Sequence, residues 1–67
     1  MNIIPEVGET AGKIWQVLNS DGPQTLAQIK KKVAGKGELI SLALGWLARE
    51  DKVEIQHEKK DYKVALK

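Results

Sequence analysis

Residues 25–55, TLAQIKKKVAGKGELISLALGWLAREDKVEI, decide the fold because they contain two helical patterns and the start of a strand. Thr25 and Gln28 have the spacing of a capping box, in which the threonine hydroxyl accepts from the N3 amide and the glutamine side chain accepts from the cap residue's own N–H. This spacing predicts a helix that begins at Thr25. The narrow apolar stripe of this helix consists of Leu26, Ile29 and Val33.

A third helix is predicted from Glu38 to Glu50, after a turn over residues 34–37. Its core stripe consists of Ile40, Ala43, Leu44 and Leu47. A second apolar stripe, about 110–120° around the helix axis, consists of Leu39, Leu42 and Trp46. One stripe is sufficient for the interior of a small domain. The alternatives for the second are that the hairpin or the first helix covers Leu39 and Trp46, or that both stay exposed together with Leu42. The residues that point away from the core stripe are Leu42, Glu38, Gly45 and Arg49.

A first helix is predicted on the N-terminal side, from Val7 to Leu18. Its apolar face has the i, i+3, i+4, i+7 spacing and consists of Ala11, Ile14, Trp15 and Leu18. Trp15 is expected in the core, and Gly12 is expected to allow close packing against the third helix. The helix is expected to end near residues 19–22, because a turn-forming segment and a proline follow.

On the C-terminal side the apolar period changes from 3.6 to 2 after residues 51–52, which predicts a β-hairpin. The apolar face of this hairpin consists of Val53, Ile55, His57, Tyr62, Val64 and Leu66. Pairing around a loop of about four residues is expected to set acidic residues of one strand opposite lysines of the other. These residues are Glu54 and Glu58 opposite Lys63 and Lys67.

The composition permits several functions and requires none. The chain has 67 residues, the size of a single domain, and residues 1–6 are expected to form a loose N-terminal arm. It has 11 lysines and arginines against 9 acidic residues, and this net charge of +2 permits nucleic-acid binding. No cysteine is present for a disulfide or a thiolate zinc site. The N-terminal segment has no signal-peptide pattern, so we expect a cytoplasmic protein without a membrane partner.

The predicted order is helix, capped helix, short turn, helix and hairpin. This order and residues 26–55 resemble the winged helix-turn-helix regulators. The segments AGKIWQVL (11–18) and ALGWLARED (43–51) look more narrowly like small stand-alone prokaryotic winged-helix proteins of unknown function. The resemblance covers about Val7 to Leu66. It implies an α+β fold, a winged helix-turn-helix with three helices followed by a two-stranded β-hairpin wing.

The third helix is poorly suited to reading bases. In the resembled regulators, the positions that enter the major groove match Lys36, Gly37, Glu38, Leu39, Leu42 and Gly45. Base edges offer donors and acceptors that Arg, Lys, Asn and Gln satisfy, whereas Leu and Gly can at most touch a thymine methyl. Glu38 would be repelled by the phosphates. Sequence-specific recognition by this helix is therefore not supported.

Two lysine groups nevertheless favour contacts with the phosphates of double-stranded DNA, largely without sequence specificity. They consist of Lys30, Lys31, Lys32 and Lys36 before the third helix and of Lys59 and Lys60 at the tip of the wing. In the winged-helix geometry both groups can lie against a DNA backbone. The leading hypothesis is therefore a homodimeric winged-helix module of the DNA-binding type, a transcription-related or nucleoid-associated factor. The alternative is that the lysines ending the second helix form a solvated surface that interacts favourably with the helix dipole.

The exposed part of the second stripe predicts a protein interface formed by Leu39, Leu42, Gly45 and Trp46. Aromatic residues are enriched at the centres of interfaces, and glycine lets a second backbone approach closely. The simplest partner is a second copy, in a homodimer. A hypothesis from another functional class keeps this surface without nucleic acid, as an adaptor that uses the winged helix for protein contact.

No residues are arranged for catalysis, for a cofactor or for a metal ion, and no small-molecule substrate is evident. His57 is the only histidine, and its place in the apolar phase of the hairpin favours packing over metal binding. Ser20 and Ser41 have no evident base partner, and the carboxylates are not grouped. We therefore predict that the protein is not an enzyme.

Overall fold

A computed structural model describes residues 2–33 and 35–67. The elements along the chain are α1 (Ile4–Asp21), β1 (Gln24–Thr25), α2 (Leu26–Lys32), α3 (Gly37–Arg49), β2 (Val53–Glu58) and β3 (Asp61–Leu66). Three helices with a β2–β3 hairpin confirm the predicted α+β winged-helix architecture. Met1 of the predicted arm and Ala34 of the predicted turn lie outside the described residues.

The core lies between the three helices and the sheet. Its fully buried large side chains come from four different elements and are Ile14, Ile29, Ile40 and Val64. α1 packs mainly against α3, while β3 packs against both α1 and α2. The buried residues of α3 are the predicted core stripe, Ile40, Ala43, Leu44 and Leu47. The helical period therefore identified the inward face of α3 correctly.

The helix α1 begins earlier than predicted. It starts at Ile4, with Pro5 in its first turn, so residues 4–6 of the predicted arm are helical. Proline fits the first turn because its missing N–H would have no partner inside the helix. The Asn2 side chain accepts a hydrogen bond from the Ile4 amide at 2.9 Å. Ile4 is exposed, and for this reason the apolar period did not reveal this first turn.

The capping box that was predicted at the start of α2 is confirmed. The Gln28 amide donates to the Thr25 hydroxyl at 3.2 Å, and the Thr25 amide donates to Gln28 Oε1 at 2.8 Å. Two helix-end N–H groups are thereby satisfied. This cap fixes the point at which the extended backbone of β1 becomes helical.

The strand β1 was not predicted, and it makes the sheet three-stranded with the order β1-β3-β2. Gln24 pairs with Val64 and Thr25 pairs with Lys63, both antiparallel. The Gln24 side chain is buried and donates to the carbonyl of Pro23 at 3.0 Å. Strand β3 therefore occupies the centre of the sheet, with a neighbour on each side.

The hairpin has a tighter turn than predicted. Glu58 pairs with Asp61, so only Lys59 and Lys60 lie in the turn, and Lys59 has a positive φ of 51°. The expected four-residue loop and its pairing of glutamates with lysines are therefore wrong. Because the register differs by two residues, each side chain keeps its predicted face. The pairs on the apolar face are Val53–Leu66, Ile55–Val64 and His57–Tyr62.

The end of β3 is tied to the turn that follows α3. The Lys67 amide donates to the Lys52 carbonyl at 3.1 Å, and the Lys67 ammonium donates to the Asp51 carboxylate. This hydrogen bond and the attraction of the Asp51 charge raise the pKa of Lys67 above its ordinary value. Both partners are exposed, so the ion pair positions the chain more than it stabilises the fold.

Candidate interface on the third helix

The side of α3 that faces away from the core carries four exposed residues, which we call the outward stripe: Glu38, Leu42, Gly45 and Arg49. At 3.6 residues per turn they lie within about 60° of one another, opposite the buried stripe. Leu42 is at the centre and remains 50% exposed. A large aliphatic side chain is therefore presented directly to the surroundings of the protein.

On one flank of the outward stripe, two tryptophans line a groove of about 400 Å³ between α1 and α3. Trp46 is 37% exposed and Trp15 is 40% exposed. Gly8 and Gly12 of α1 line the same groove. The expectation that Trp15 lies in the core is therefore wrong. The expectation of close packing at Gly12 is also wrong, since a Cβ placed there would meet no atom within 4 Å.

Leu39 differs from the other predicted interface residues because its side chain is partly buried against the core. Leu39 and Trp46 are seven positions apart, so they lie at nearly the same angle around the axis of α3. Leu39 is therefore shared between the interior and the flank of the outward stripe. The exposed part of the predicted interface consists of Leu42, Gly45 and Trp46.

On the other flank, α3 and the wing border a shallow apolar hollow of about 260 Å³. Ser41 and Gly45 line it from α3, while Ile55 and Tyr62 line it from the wing. Ile55 and Tyr62 are both large, apolar and exposed. The sequence had placed these two residues on the apolar face of the hairpin without assigning them to an interface. The signal in the sequence was that this face of a short hairpin has more large apolar residues than the domain needs to bury.

His57 packs against Tyr62 at the tip of the wing, with the ring centroids 4.8 Å apart and tilted by 32°. This contact agrees with a packing role for the histidine. Within residues 2–33 and 35–67, no three His, Asp or Glu side chains are grouped so that they could hold a metal ion. No helix in these segments has both the length and the apolarity needed to span a bilayer.

The first lysine group lies around the junction of α2 and α3. Lys30 and Lys31 are exposed in the last turn of α2, and Lys36 is the N-cap residue of α3. The Lys30 side chain runs beside the start of α3, since a Cβ built on Gly37 would lie 3.8 Å from Lys30 Cε. Lys32 instead binds within the chain, donating to Asp21 Oδ2 at 3.1 Å and to the Gln24 amide oxygen at 2.7 Å.

The second lysine group, Lys59 and Lys60, lies at the opposite end of α2. Both residues line a hollow that also contains Thr25, the N-cap residue of α2. The seven residues of α2 separate the two lysine groups by about 10 Å along the helix axis. Glu58 and Asp61 flank the turn and reduce its positive potential. The two lysine groups therefore lie at opposite ends of α2, and the group at the turn has acidic neighbours.

Comparison with known proteins agrees with this architecture. Residues 2–66 match a protein family described as winged helix-turn-helix domain (DUF2582). An uncharacterized protein from Methanocaldococcus jannaschii is 40% identical over 65 residues, covering 92% of this chain and 91% of that protein. The similarity therefore extends over all three helices and the wing.

Proposed function

The chain belongs to the winged helix-turn-helix domain family DUF2582, and we propose that it uses the outward face of α3 for protein contact, first with a second copy of itself. The observation that carries this proposal is the 50% exposure of Leu42 at the centre of that face. Leu39, Gly45 and Trp46 extend the surface around it. In this function α3 is an interaction element and does not read bases.

The chemistry of the outward stripe supports protein contact over base recognition. Leucine and glycine cannot form the paired hydrogen bonds that distinguish bases in the major groove, and Glu38 would approach phosphates of like charge. In contrast, tryptophan is enriched at the centres of protein interfaces, and the exposed Trp46 lies one turn from Leu42 on this surface. The hollow beside Ile55 and Tyr62 continues this apolar surface onto the wing.

The small size of the domain favours association with a second copy. A chain of 67 residues buries a smaller fraction of its surface than a larger domain, so association contributes to its stability. A two-fold dimer buries the same surface on each subunit, and one exposed patch therefore covers another. The adaptor function, without nucleic acid, requires only this protein surface.

Sedimentation equilibrium of the wild-type protein tests this proposal. We expect the weight-average mass to rise from that of one chain to that of two as the protein concentration increases. The dimer should persist at high salt, because burial of Leu42 and Trp46 is an apolar interaction that salt does not screen. A protein that remains monomeric at every concentration would contradict self-association.

We propose as a second candidate function that the same protein binds double-stranded DNA through phosphate contacts, as a cytoplasmic transcription-related or nucleoid-associated factor. The observation that favours it is the exposure of lysines at both ends of α2. The candidate contacts are Lys30, Lys31, Lys36, Lys59 and Lys60, with Lys32 contributing only if it leaves Asp21. Such contacts bind the backbone and carry no sequence preference.

The salt dependence of DNA binding is a quantitative test of this candidate. If five lysines neutralise phosphates, log K should fall with log salt with a slope of roughly −4 to −5. Replacing Lys59 and Lys60 together by alanine should make the slope shallower by about 2, with equal effects on unrelated duplexes. Titration of a labelled duplex, followed by fluorescence anisotropy, measures both slopes.

Lys13 on α1 belongs to neither lysine group, so Lys13→Ala provides the control, with an unchanged slope. Absence of binding at low salt excludes DNA from the function of this chain. A loss of affinity per removed charge that is as large in Lys13→Ala as in the double variant would mean that only the net charge matters.

A further inference from the structure

We infer that the second copy packs antiparallel along α3, with Glu38 opposite the partner's Arg49 and Leu42 opposite the partner's Gly45. This inference rests on the proposed self-association and adds its geometry. The two-fold axis passes through the midpoint of the outward stripe, at the level of the peptide bond between Ala43 and Leu44. By symmetry each of these contacts occurs twice in the dimer.

The spacing of the outward stripe fits this arrangement. Successive residues of the stripe are separated by 4, 3 and 4 positions, which is the alternation of d and a positions in a heptad. In an antiparallel pair of helices, d positions of one helix lie opposite a positions of the other. Reversing α3 about the midpoint of the stripe therefore superimposes the stripe on itself, with 38 on 49 and 42 on 45.

The sizes of the facing residues are complementary. Leu42 projects from the helix, whereas Gly45 has no side chain, and a Cβ placed there would meet no atom within 4 Å. Gly45 lies inside α3 with ordinary helical backbone, and glycine in such a position destabilises a helix relative to alanine. Neither a positive φ nor a close neighbour in its own chain therefore accounts for this glycine. Insertion of the partner's Leu42 accounts for it.

The charges of the facing residues are also complementary. Within the described residues neither Glu38 nor Arg49 forms an ion pair, so both are free to bind across the interface. The antiparallel arrangement places each carboxylate beside a guanidinium of the other copy. A parallel arrangement would place Glu38 beside Glu38 and Arg49 beside Arg49, which is repulsive. Antiparallel packing also sets the two helix dipoles in opposite directions, which is electrostatically favourable.

Charge reversal tests this geometry. Glu38→Arg and Arg49→Glu should each raise the dimer dissociation constant roughly tenfold, because two attractive pairs become two repulsive pairs. The double variant E38R/R49E should restore the dissociation constant to within about threefold of wild type, since opposite charges again face each other. An equimolar mixture of the two single variants should form mainly the heterodimer, in which all facing charges are opposite. Sedimentation equilibrium measures the constants, and native mass spectrometry of the mixture measures the heterodimer fraction.

Glu9 and Lys13 on the exposed side of α1 provide a charge-matched control, because Glu9→Arg and Lys13→Glu alter net charge equally outside the interface. Circular dichroism of all variants verifies the fold. If the wild type dimerises while both α3 reversals leave its dissociation constant unchanged, the antiparallel geometry is overturned and self-association stands. If the reversals weaken the dimer but their mixture stays statistical, the pairing is likewise overturned. A monomeric wild type refutes the self-association on which the geometry rests.

Discussion

Replacing Leu42 by glutamate is expected to convert the dimer into a monomer. The substitution places a carboxylate at the centre of the proposed interface, and the two-fold symmetry introduces it twice. Burying a charge without a partner costs about 3–5 kcal/mol, and the loss of a central leucine contact adds to this. We expect the dissociation constant to rise by at least roughly 100-fold, the equivalent of about 3 kcal/mol. Sedimentation equilibrium at matched protein concentrations measures the change.

Ala27→Glu is the control for this substitution, because Ala27 is exposed on α2 and lies outside the outward stripe. The control adds the same charge and should leave the dissociation constant within about twofold of wild type, as expected for a distant surface residue. A Leu42→Glu variant that still dimerises with wild-type affinity would show that the interface lies elsewhere. A similar weakening by Ala27→Glu would assign the effect to net charge.

Replacing Ile14 by alanine is expected to lower the free energy of unfolding by about 3–4 kcal/mol. Ile14 is 0% exposed at the contact between α1 and the remainder of the core. Truncation of a buried isoleucine removes apolar burial and leaves a cavity, which together cost about 2–5 kcal/mol. In a domain of this size such a loss is a large part of the total stability. Urea denaturation monitored by circular dichroism measures the change at a fixed protein concentration, because dimerisation links stability to concentration.

Ile4→Ala makes the same chemical change at a residue that is 53% exposed. Its effect should stay below about 1 kcal/mol, because little apolar surface leaves water at this position. Equal effects at the two positions would contradict the burial difference between Ile4 and Ile14. Comparing the two variants therefore separates the effect of burial from the effect of the Ile-to-Ala change itself.

The helical part of the fold could be predicted because its signals are local. Thr25 and Gln28 are three positions apart, and the buried stripe of α3 repeats within one helix. Strand β1 was missed because two residues have no period, and its partners, Lys63 and Val64, are distant in sequence. The turn of the wing was not predicted correctly because it depends on a positive φ at Lys59. Few residues other than glycine adopt such a φ readily.

The candidate interface could be predicted in part. Leu42 lies opposite the core stripe, so helical geometry alone indicated its exposure. Trp15 could not be assigned in this way, because it lies about 100° from Ile14 at the edge of the buried face of α1. A period describes the direction of a side chain and does not describe how far the neighbouring helix extends over it. The groove beside Trp46 therefore emerged only from the packing of α1 against α3.

The sheet order β1-β3-β2 has a consequence for synthesis of the chain on the ribosome. The strand that emerges last of the three, β3, is the middle strand, and both β1 and β2 form their ladders on it. The helices can form during translation, since their contacts are local and helix formation is fast. β1 and β2 must wait without partners until β3 has left the exit tunnel. The sheet therefore forms only after β3 has left the exit tunnel. Until then β2 of the nascent chain has no strand to pair with.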